Sequence, residues 1–315
     1  MAGKLPYWGS QQILDGRCEM SEPKARIGIV GGSGLYKMEG MTGLRKIRVS
    51  TPFGDPSDTI LLGSLEGVIV AFLPRHGEGH RISPGELPAR ANIYALKSLG
   101  VERLISVSAV GSLREEIPPL SVVIPDQLID VTKGRASTFF TNGIVGHVSL
   151  AEPFCPVLRQ LVFQTCRKLG IKAHKGGTYV VVEGPQFSTK AESQLYRSWG
   201  AAVIGMTALP EAKLAREAEM CYVTLALVTD YDCWHPGYES VTTKMILTNL
   251  MKGVDTARSI LRSLVPAMPR ERDCDCASAL KNAIATDPKC IPQEKRKELD
   301  LLIGRYLASK DDRQA

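Results

Sequence analysis

Residues 218–234 read Ala-Glu-Met-Cys-Tyr-Val-Thr-Leu-Ala-Leu-Val-Thr-Asp-Tyr-Asp-Cys-Trp. From Cys221 to Val228 this run is rich in apolar and β-branched residues, which predicts a strand buried on both faces. The run stops on Thr229-Asp230-Tyr231-Asp232, so two carboxylates stand two residues apart where the strand gives out. In open α/β sheets that end of a strand is where ligands bind. The plain alternative is a solvated loop that happens to hold two acids. The rest of the chain decides against it, because other strand-like runs also end in polar, phosphate-friendly residues.

Ala25–Val30 is the first of them and runs directly into Gly31-Gly32-Ser33-Gly34. The glycines permit close backbone approach to a ligand. The spacing fails as a dinucleotide fingerprint, since Lys37 stands where a third glycine is needed, and a loop cradling a single phosphate remains. Thr59–Leu62 and Val68–Pro74 predict a hairpin across Glu66-Gly67, and its second strand delivers Arg75-His76-Gly77. Leu104–Val110 ends at Ser108-Ala109-Val110-Gly111-Ser112, and Thr178–Val182 ends at Glu183-Gly184-Pro185-Gln186-Phe187-Ser188. Val203–Gly205 is a short strand ending at Met206-Thr207. Helices alternate with these strands: one opened at Leu87-Pro88, Pro156–Leu169, Ala191–Trp199, one begun by Pro210, and a long amphipathic one capped by Thr242 and running to about Leu264. Val122–Val131 reads as one further apolar run, and 132–150 as a long aperiodic loop of the kind that is usually functional or mobile.

This alternation from 25 to 265 predicts an α/β fold in one domain, with helices on both faces of the sheet. Residues 1–24 form an N-terminal arm broken by prolines and glycines, and 266–315 a helical C-terminal tail. Pro292 opens the tail's last helix, whose Leu299, Leu302, Ile303 and Tyr306 make an apolar stripe that needs a surface to lie on.

Composition removes several classes of function. Net charge is +6, but part of it sits in mixed-sign runs such as Glu294-Lys295-Arg296-Lys297-Glu298, a solvated helix face and not a nucleic-acid surface. No apolar stretch approaches the ~20 residues that span a bilayer. The first twenty residues lack the apolar core of a signal peptide, which predicts a cytoplasmic location. The eight cysteines, at 18, 155, 166, 221, 233, 274, 276 and 290, include no CxxC zinc spacing. Cys274-Asp275-Cys276 reads as a redox pair, as a disulfide partner for Cys290, or as part of three unrelated thiols in a loosely packed tail, the reading preferred. His76 and His80 have i,i+4 spacing, but the glycines between them argue against a helix, so no metal site is expected.

Collected together, the strand ends carry hydroxyls, amides and an arginine suited to phosphate. Phe187 and Met206 are apolar walls for a flat ligand, and the two aspartates are acceptors for a heterocycle's donors. Phosphate beside a nucleoside-shaped slot suggests phosphorolysis of an N-glycosidic bond.

Ile27-Gly-Ile-Val-Gly-Gly-Ser-Gly-Leu35, Thr51-Pro-Phe-Gly-Asp-Pro-Ser57, Arg75-His-Gly77, Glu183-Gly-Pro-Gln-Phe-Ser188, Met206-Thr207 and Thr229-Asp-Tyr-Asp-Cys-Trp234 together resemble the 5′-methylthioadenosine phosphorylases of the purine nucleoside phosphorylase superfamily. The resemblance covers about 25–265. It implies a single α/β domain around a mixed, partly barrel-like sheet, a homo-oligomer (a trimer or a dimer of trimers), and no cofactor, with inorganic phosphate as co-substrate. The implied reaction, in purine and methionine salvage, gives adenine and 5-methylthioribose 1-phosphate. Phosphate would meet Ser33, Arg75, His76, Ser108, the Ala109 amide and Thr207. Ribose would lie against Met206. Phe187 and Ser188 would border the base, with Asp230 and Asp232 on its edge. His147, Thr243, Ile246 and Leu247 would meet the 5′ substituent. Serine at 33 and 108 replaces the family's threonine and keeps the hydroxyl, whereas Thr243 stands where the family's pocket is apolar. The rival readings are a broader purine nucleoside phosphorylase, acting also on adenosine or 6-oxopurine nucleosides, and a non-catalytic nucleoside-binding protein.

Overall fold

Alternation along the central strand assigns the two faces of the sheet. In β11 (Cys221–Tyr231) Val223, Leu225 and Leu227 pack into one core, Tyr222, Ala226 and Val228 into the other, and every residue is buried. The computed structural model of the chain describes residues 24–32, 35, 40–236 and 243–307, with side chains from 248 onward in the last segment.

β11 runs parallel to β5 (Arg103–Ser112), and β5 is where the sheet branches. On the other side of β5, its first five residues pair in parallel with β1 (Ile27–Gly31), and its last two pair antiparallel with β10 (Val203–Gly205). From β1 the sheet continues through β4 (Val68–Pro74), β3 (Ile60–Leu65) and β2 (Met41–Ile47). From β10 it continues through β9 (Thr178–Val182) to β7 (Gln127–Val131). The far side of β11 carries β6 (Val122–Ile124) and then β8 (Ala173–Lys175). The result is one α/β domain on a mixed, branched sheet of 11 strands among the described residues.

Helices α1 (Ala89–Ser98) and α4 (Ala208–Glu217) cover one face, and α2 (Pro156–Lys168) and α5 (Thr243–Ala267) the other. α3 (Lys190–Ser198) seals a smaller core under β9 and β10. Among the described residues no helix is long and apolar enough to cross a membrane.

Two expectations are corrected, and two strands form that the sequence did not predict. Val122–Val131 is not one strand: Pro125 has no N–H to give, and the chain leaves the β11 edge there and resumes as β7 beside β9. β2 is an edge strand with five exposed positions in its seven residues, so its sequence carries little apolar signal. β8 has three residues, too few to show a period. The last helix is two, α6 (Gln293–Glu298) and α7 (Asp300–Leu307), broken at a fully buried Leu299.

The tail lies on the α1 and α4 side. Leu280, Ile291, Leu299, Leu302 and Ile303 join the core that contains Ile93 and Leu96. The Tyr94 hydroxyl donates to Glu298 O (3.2 Å), and the Leu280 amide donates to Glu219 Oε1 (3.0 Å). Arg305 and Tyr306 also close on the Glu219 carboxylate. The N-terminal arm before residue 24 lies outside the described residues, as does the Thr242 cap.

Candidate active site

A cavity of about 510 Å³ opens at the C-terminal ends of β4, β5, β9, β10 and β11. Because all five strand ends converge there, it gathers most of the residues singled out from the sequence. Its walls include Arg75 and His76 after β4, Ser108 and Ala109 in β5, Phe187 and Ser188 beyond β9, Met206 and Thr207 after β10, and Asp230 and Asp232. Leu250 and Val254 of α5 close the apolar side.

The two aspartates reach it through a bulge. The pairing of β11 with β5 steps from Val228↔Val110 directly to Asp230↔Gly111, leaving Thr229 as the extra residue. A bulge re-aims the side chains that follow it. The Thr229 hydroxyl sits between Val110 O (3.2 Å) and Asp230 Oδ2 (2.6 Å) and donates to one of them, and Asn249 Nδ2 donates to Thr229 O (2.6 Å). The strand does not give out before the acids, as the sequence suggested, but carries Asp230 as part of its ladder.

Burial pushes the Asp230 carboxyl up to about 7; the bond from Thr229 opposes this, and the nearby Asp232 charge adds to it. Burial raises Asp232 as well. Asp232 Oδ2 is buried and has no hydrogen-bond partner in the protein. Such an atom is costly unless a donor meets it, and it lies on the wall of the cavity. Gly111 separates the two acids: a Cβ there would lie 3.2 Å from Asp230 Oδ1 and 3.4 Å from Asp232 Cβ.

Arg75 is 1% exposed and largely occupied. Its Nε donates to Glu211 Oε1 (2.5 Å), its Nη2 to Glu211 Oε2 (3.2 Å) and Ser106 Oγ (2.5 Å), and its Nη1 to Val107 O (3.0 Å). Of the five N–H donors of a guanidinium, one on Nη1 is left for the cavity. Glu211 takes the bidentate face of the guanidinium, so Arg75 presents a single N–H to the cavity. Glu211 was missed in the sequence. Its only signal there was an acid in the first turn of α4, which reads as an ordinary helix-dipole partner.

Two hydroxyls stand together beside that N–H, with Ser108 Oγ 2.9 Å from Thr207 Oγ1. Burial, with the Arg75 charge adding to it, pulls His76 down to about 4, so the ring is neutral near pH 7. His76 Nδ1 lies 2.8 Å from Ile82 O and donates to it, which leaves Nε2 as an acceptor.

Arg135, which the sequence reading passed over inside the long loop, fixes the opposite wall. Its side chain is 4% exposed and pairs with Glu183 Oε1 (3.0 Å). It also donates to Met206 O (2.7 Å), Leu209 O (2.8 Å) and Glu183 O (2.5 Å). One guanidinium thus ties the end of β9 to the segment that carries Met206 and Thr207. Cys233 Sγ donates to Ser188 O (3.3 Å) and joins the same loop to β11. The Phe187 ring is 53% exposed at the mouth.

One predicted residue among those described, His147, stands outside this cavity. Its backbone N–H donates to Ala283 O (2.8 Å), and Gly146 bridges to Ile284, so the loop is pinned to the tail. His147 lines a separate cleft with Lys213, Arg216 and Glu217. Ser33 and the side chains of Thr243, Ile246 and Leu247 lie outside the described residues.

The cysteines also correct the sequence reading. Cys274 and Cys276 are not loose thiols of the tail; they meet Cys155 and Cys221, and the four sulfurs lie within 4.8 Å of one another. Cys290 is exposed and outside the group. These four sulfurs are close enough to be candidate ligands of one ion. Sequence spacing could not show it, since the residues come from three distant segments.

The profile of the Phosphorylase superfamily matches residues 26–266. The chain is 58% identical over 283 residues to the S-methyl-5′-thioadenosine phosphorylase of Koribacter versatilis, covering 90% of this chain and 97% of that protein. Among solved structures it is similar to a methylthioadenosine phosphorylase from an antarctic soil metagenomic library, with TM-score 0.85, 50% identity, and 89% of this chain and 99% of that one covered. It is also similar to a methylthioadenosine phosphorylase from Schistosoma mansoni in complex with adenine, with TM-score 0.77, 36% identity, and 86% and 100% covered.

Proposed function

The chain belongs to the S-methyl-5′-thioadenosine phosphorylase family within the phosphorylase superfamily, and on that premise we propose how its cavity splits methylthioadenosine with phosphate into adenine and 5-methylthioribose 1-phosphate. The observation that carries the reading is the buried pair Asp230 and Asp232, one carboxyl raised to about 7 and the other with an unpartnered oxygen.

The C1′–N9 bond breaks through an oxocarbenium-like ribose, as in glycoside hydrolysis. Phosphate sits below the ribose and stabilises that cation, and one of its oxygens then forms the new bond to C1′. The electron pair of the broken bond goes to the purine. Asp230, protonated near neutral pH, delivers its proton to N7 of the leaving base, and Asp232 accepts from the 6-amino group. On the phosphate side, the Arg75 Nη1 N–H and the Ser108 and Thr207 hydroxyls donate, and neutral His76 accepts from a protonated phosphate oxygen. A 6-oxo group would face acceptors with an acceptor, which favours adenine.

The test is release of free adenine from methylthioadenosine by the purified full-length chain, with and without phosphate, and with adenosine and inosine alongside. Adenine release that needs phosphate, with inosine inert, is the expected result. Release that ignores phosphate, or none, would sink the reading.

Within this reading Gly184 is a shape requirement. Its φ is +68°, and a Cβ there would lie 2.4 Å from Met206 Sδ. Gly184→Ala is expected to cost about 1–2 kcal/mol in backbone strain and to push Met206 into the ribose position. A raised KM for the nucleoside with KM for phosphate unchanged checks this.

The cytoplasm is the proposed location. The proposed assembly is a homo-oligomer, of which a trimer is one form. His147 stands outside its own chain's cavity, so the 5′-contact given it by family resemblance requires a neighbouring copy to supply it.

A further inference from the structure

Far from the catalytic cavity, Cys155, Cys221, Cys274 and Cys276 bring four sulfurs within 4.8 Å of one another. Three of these residues are buried, and Cys274 is half-buried. Each sulfur is placed by a different constraint. Cys155 is the N-cap of α2, and the Leu158 amide donates to its sulfur (3.4 Å). Cys221 is the first residue of β11. Cys274 and Cys276 belong to the tail segment that crosses beneath that strand, with Cys274 Sγ 3.4 Å from Cys221 Sγ and unbonded to it. The crossing is fixed by Arg103, which donates to Glu271 O (2.6 Å), and by Arg272, which donates to Glu219 O (2.7 Å).

We infer that these four cysteines form a binding site for a single zinc ion that staples the C-terminal tail to the catalytic domain. A tetrahedral zinc with thiolates at about 2.3 Å holds its sulfurs about 3.8 Å apart. The observed limit of 4.8 Å leaves room for that set without backbone movement. A polynuclear iron–sulfur cluster spreads its thiolates over several irons separated by bridging sulfides and needs a wider group. Soft thiolates in a tetrahedral set select zinc over the hard cations that prefer oxygen.

The surroundings suit a site of that charge. Four thiolates and one zinc carry two net negative charges, and Arg216 Nη1 lies 3.5 Å from Cys276 Sγ as a donor. Arg103 pairs with Cys221 across the β5–β11 ladder and adds a second positive charge. Each thiol gives its proton to solvent as it ligates, so binding weakens as pH falls. The alternative occupancy of the same volume is a packed group of small apolar side chains, or a disulfide between Cys221 and Cys274.

The test measures metal on the full-length protein purified in reductant without chelator. About one zinc per chain is expected, with loss to under a tenth of that in Cys274→Ser and in Cys276→Ser. Cys290→Ser and Cys166→Ser are controls that keep it. On the native chain, stripped protein titrated with Co²⁺ is expected to give the intense visible bands of a tetrahedral tetrathiolate at one equivalent, independently of whether any variant folds. Strong chelation is expected to expose the tail beyond residue 268 to limited proteolysis. Wild-type protein with neither stoichiometric zinc nor the cobalt spectrum would overturn the proposal. So would zinc retained in both variants, or a Cys221–Cys274 disulfide found in the reductant-purified chain.

Discussion

Asp230→Asn is expected to lower kcat/KM for methylthioadenosine about 10²- to 10⁴-fold, the range of a lost general acid, while making the ligand-free protein more stable at pH 8. Both effects come from one proton. Burial raises the Asp230 carboxyl from 3.8 to about 7. Between those values the native state holds a proton that the unfolded chain has released, so stability falls as pH rises through the interval. The penalty is absent below about pH 4 and complete above about pH 7, where a shift of this size amounts to about 4 kcal/mol. Asparagine keeps an oxygen for the Thr229 hydroxyl and carries no charge, so it removes the penalty. Its amide also donates along the base edge where N7 and the 6-substituent lie side by side, so it can reach a 6-oxo group and relax the rejection of 6-oxopurines. Chemical denaturation at pH 5 and pH 8, with relative rates on adenine and hypoxanthine nucleosides, checks the prediction. A variant no more stable than the parent at pH 8, or with unchanged relative rates, removes the assignment of the proton to Asp230.

The parts of the site that were legible in the sequence share one physical property: they sit at the ends of strands buried on both faces. Such strands read as apolar runs, and the first polar residues after them mark where the chain meets the cavity. Ser108, Thr207, Asp230, Arg75 and Phe187 were found this way, and all line the same cavity. What stayed hidden depends on contacts between segments far apart in the chain. Arg135 lies in a loop with no period, and nothing local says that its five donors will be spent on the end of β9 and on the segment from Met206 into α4. The Thr229 bulge is set by pairing with β5, which no strand announces alone. The four-cysteine group unites α2, β11 and the tail, and no linear spacing could suggest it. The β2 strand was lost for the opposite reason: its exposed edge position left no apolar pattern to read.

Glu211 is the clearest of the hidden residues, and its loss is expected to be the most damaging single change to stability. Its two oxygens accept from Arg75, from Ser106 Oγ (3.0 Å) and from the Tyr222 hydroxyl (3.1 Å), and the Tyr222 hydroxyl in turn accepts from Thr224 Oγ1 (3.3 Å). The side chains of Arg75 and Glu211 are 1% and 4% exposed. Burial alone would lower the Arg75 pKa, and the Glu211 carboxylate more than offsets this, so the guanidinium stays charged in the core. Glu211→Ala leaves that charge without its partner and two buried hydroxyls without their acceptor. Removing one member of a buried ion pair typically costs about 3–5 kcal/mol, which is a large share of the net stability of an ordinary domain. Arg75→Met alone leaves the carboxylate stranded and is expected to cost a similar amount. The double variant Arg75→Met with Glu211→Leu removes both charges, and its loss should fall well short of the sum of the single losses. Its phosphate affinity should nonetheless be reduced, since the Nη1 donor is gone. Denaturant unfolding of the four proteins measures the coupling, and phosphate KM separates it from binding. Additive losses would mean that the two groups do not act as a pair, and the account of how Arg75 is presented to the cavity would fall with it.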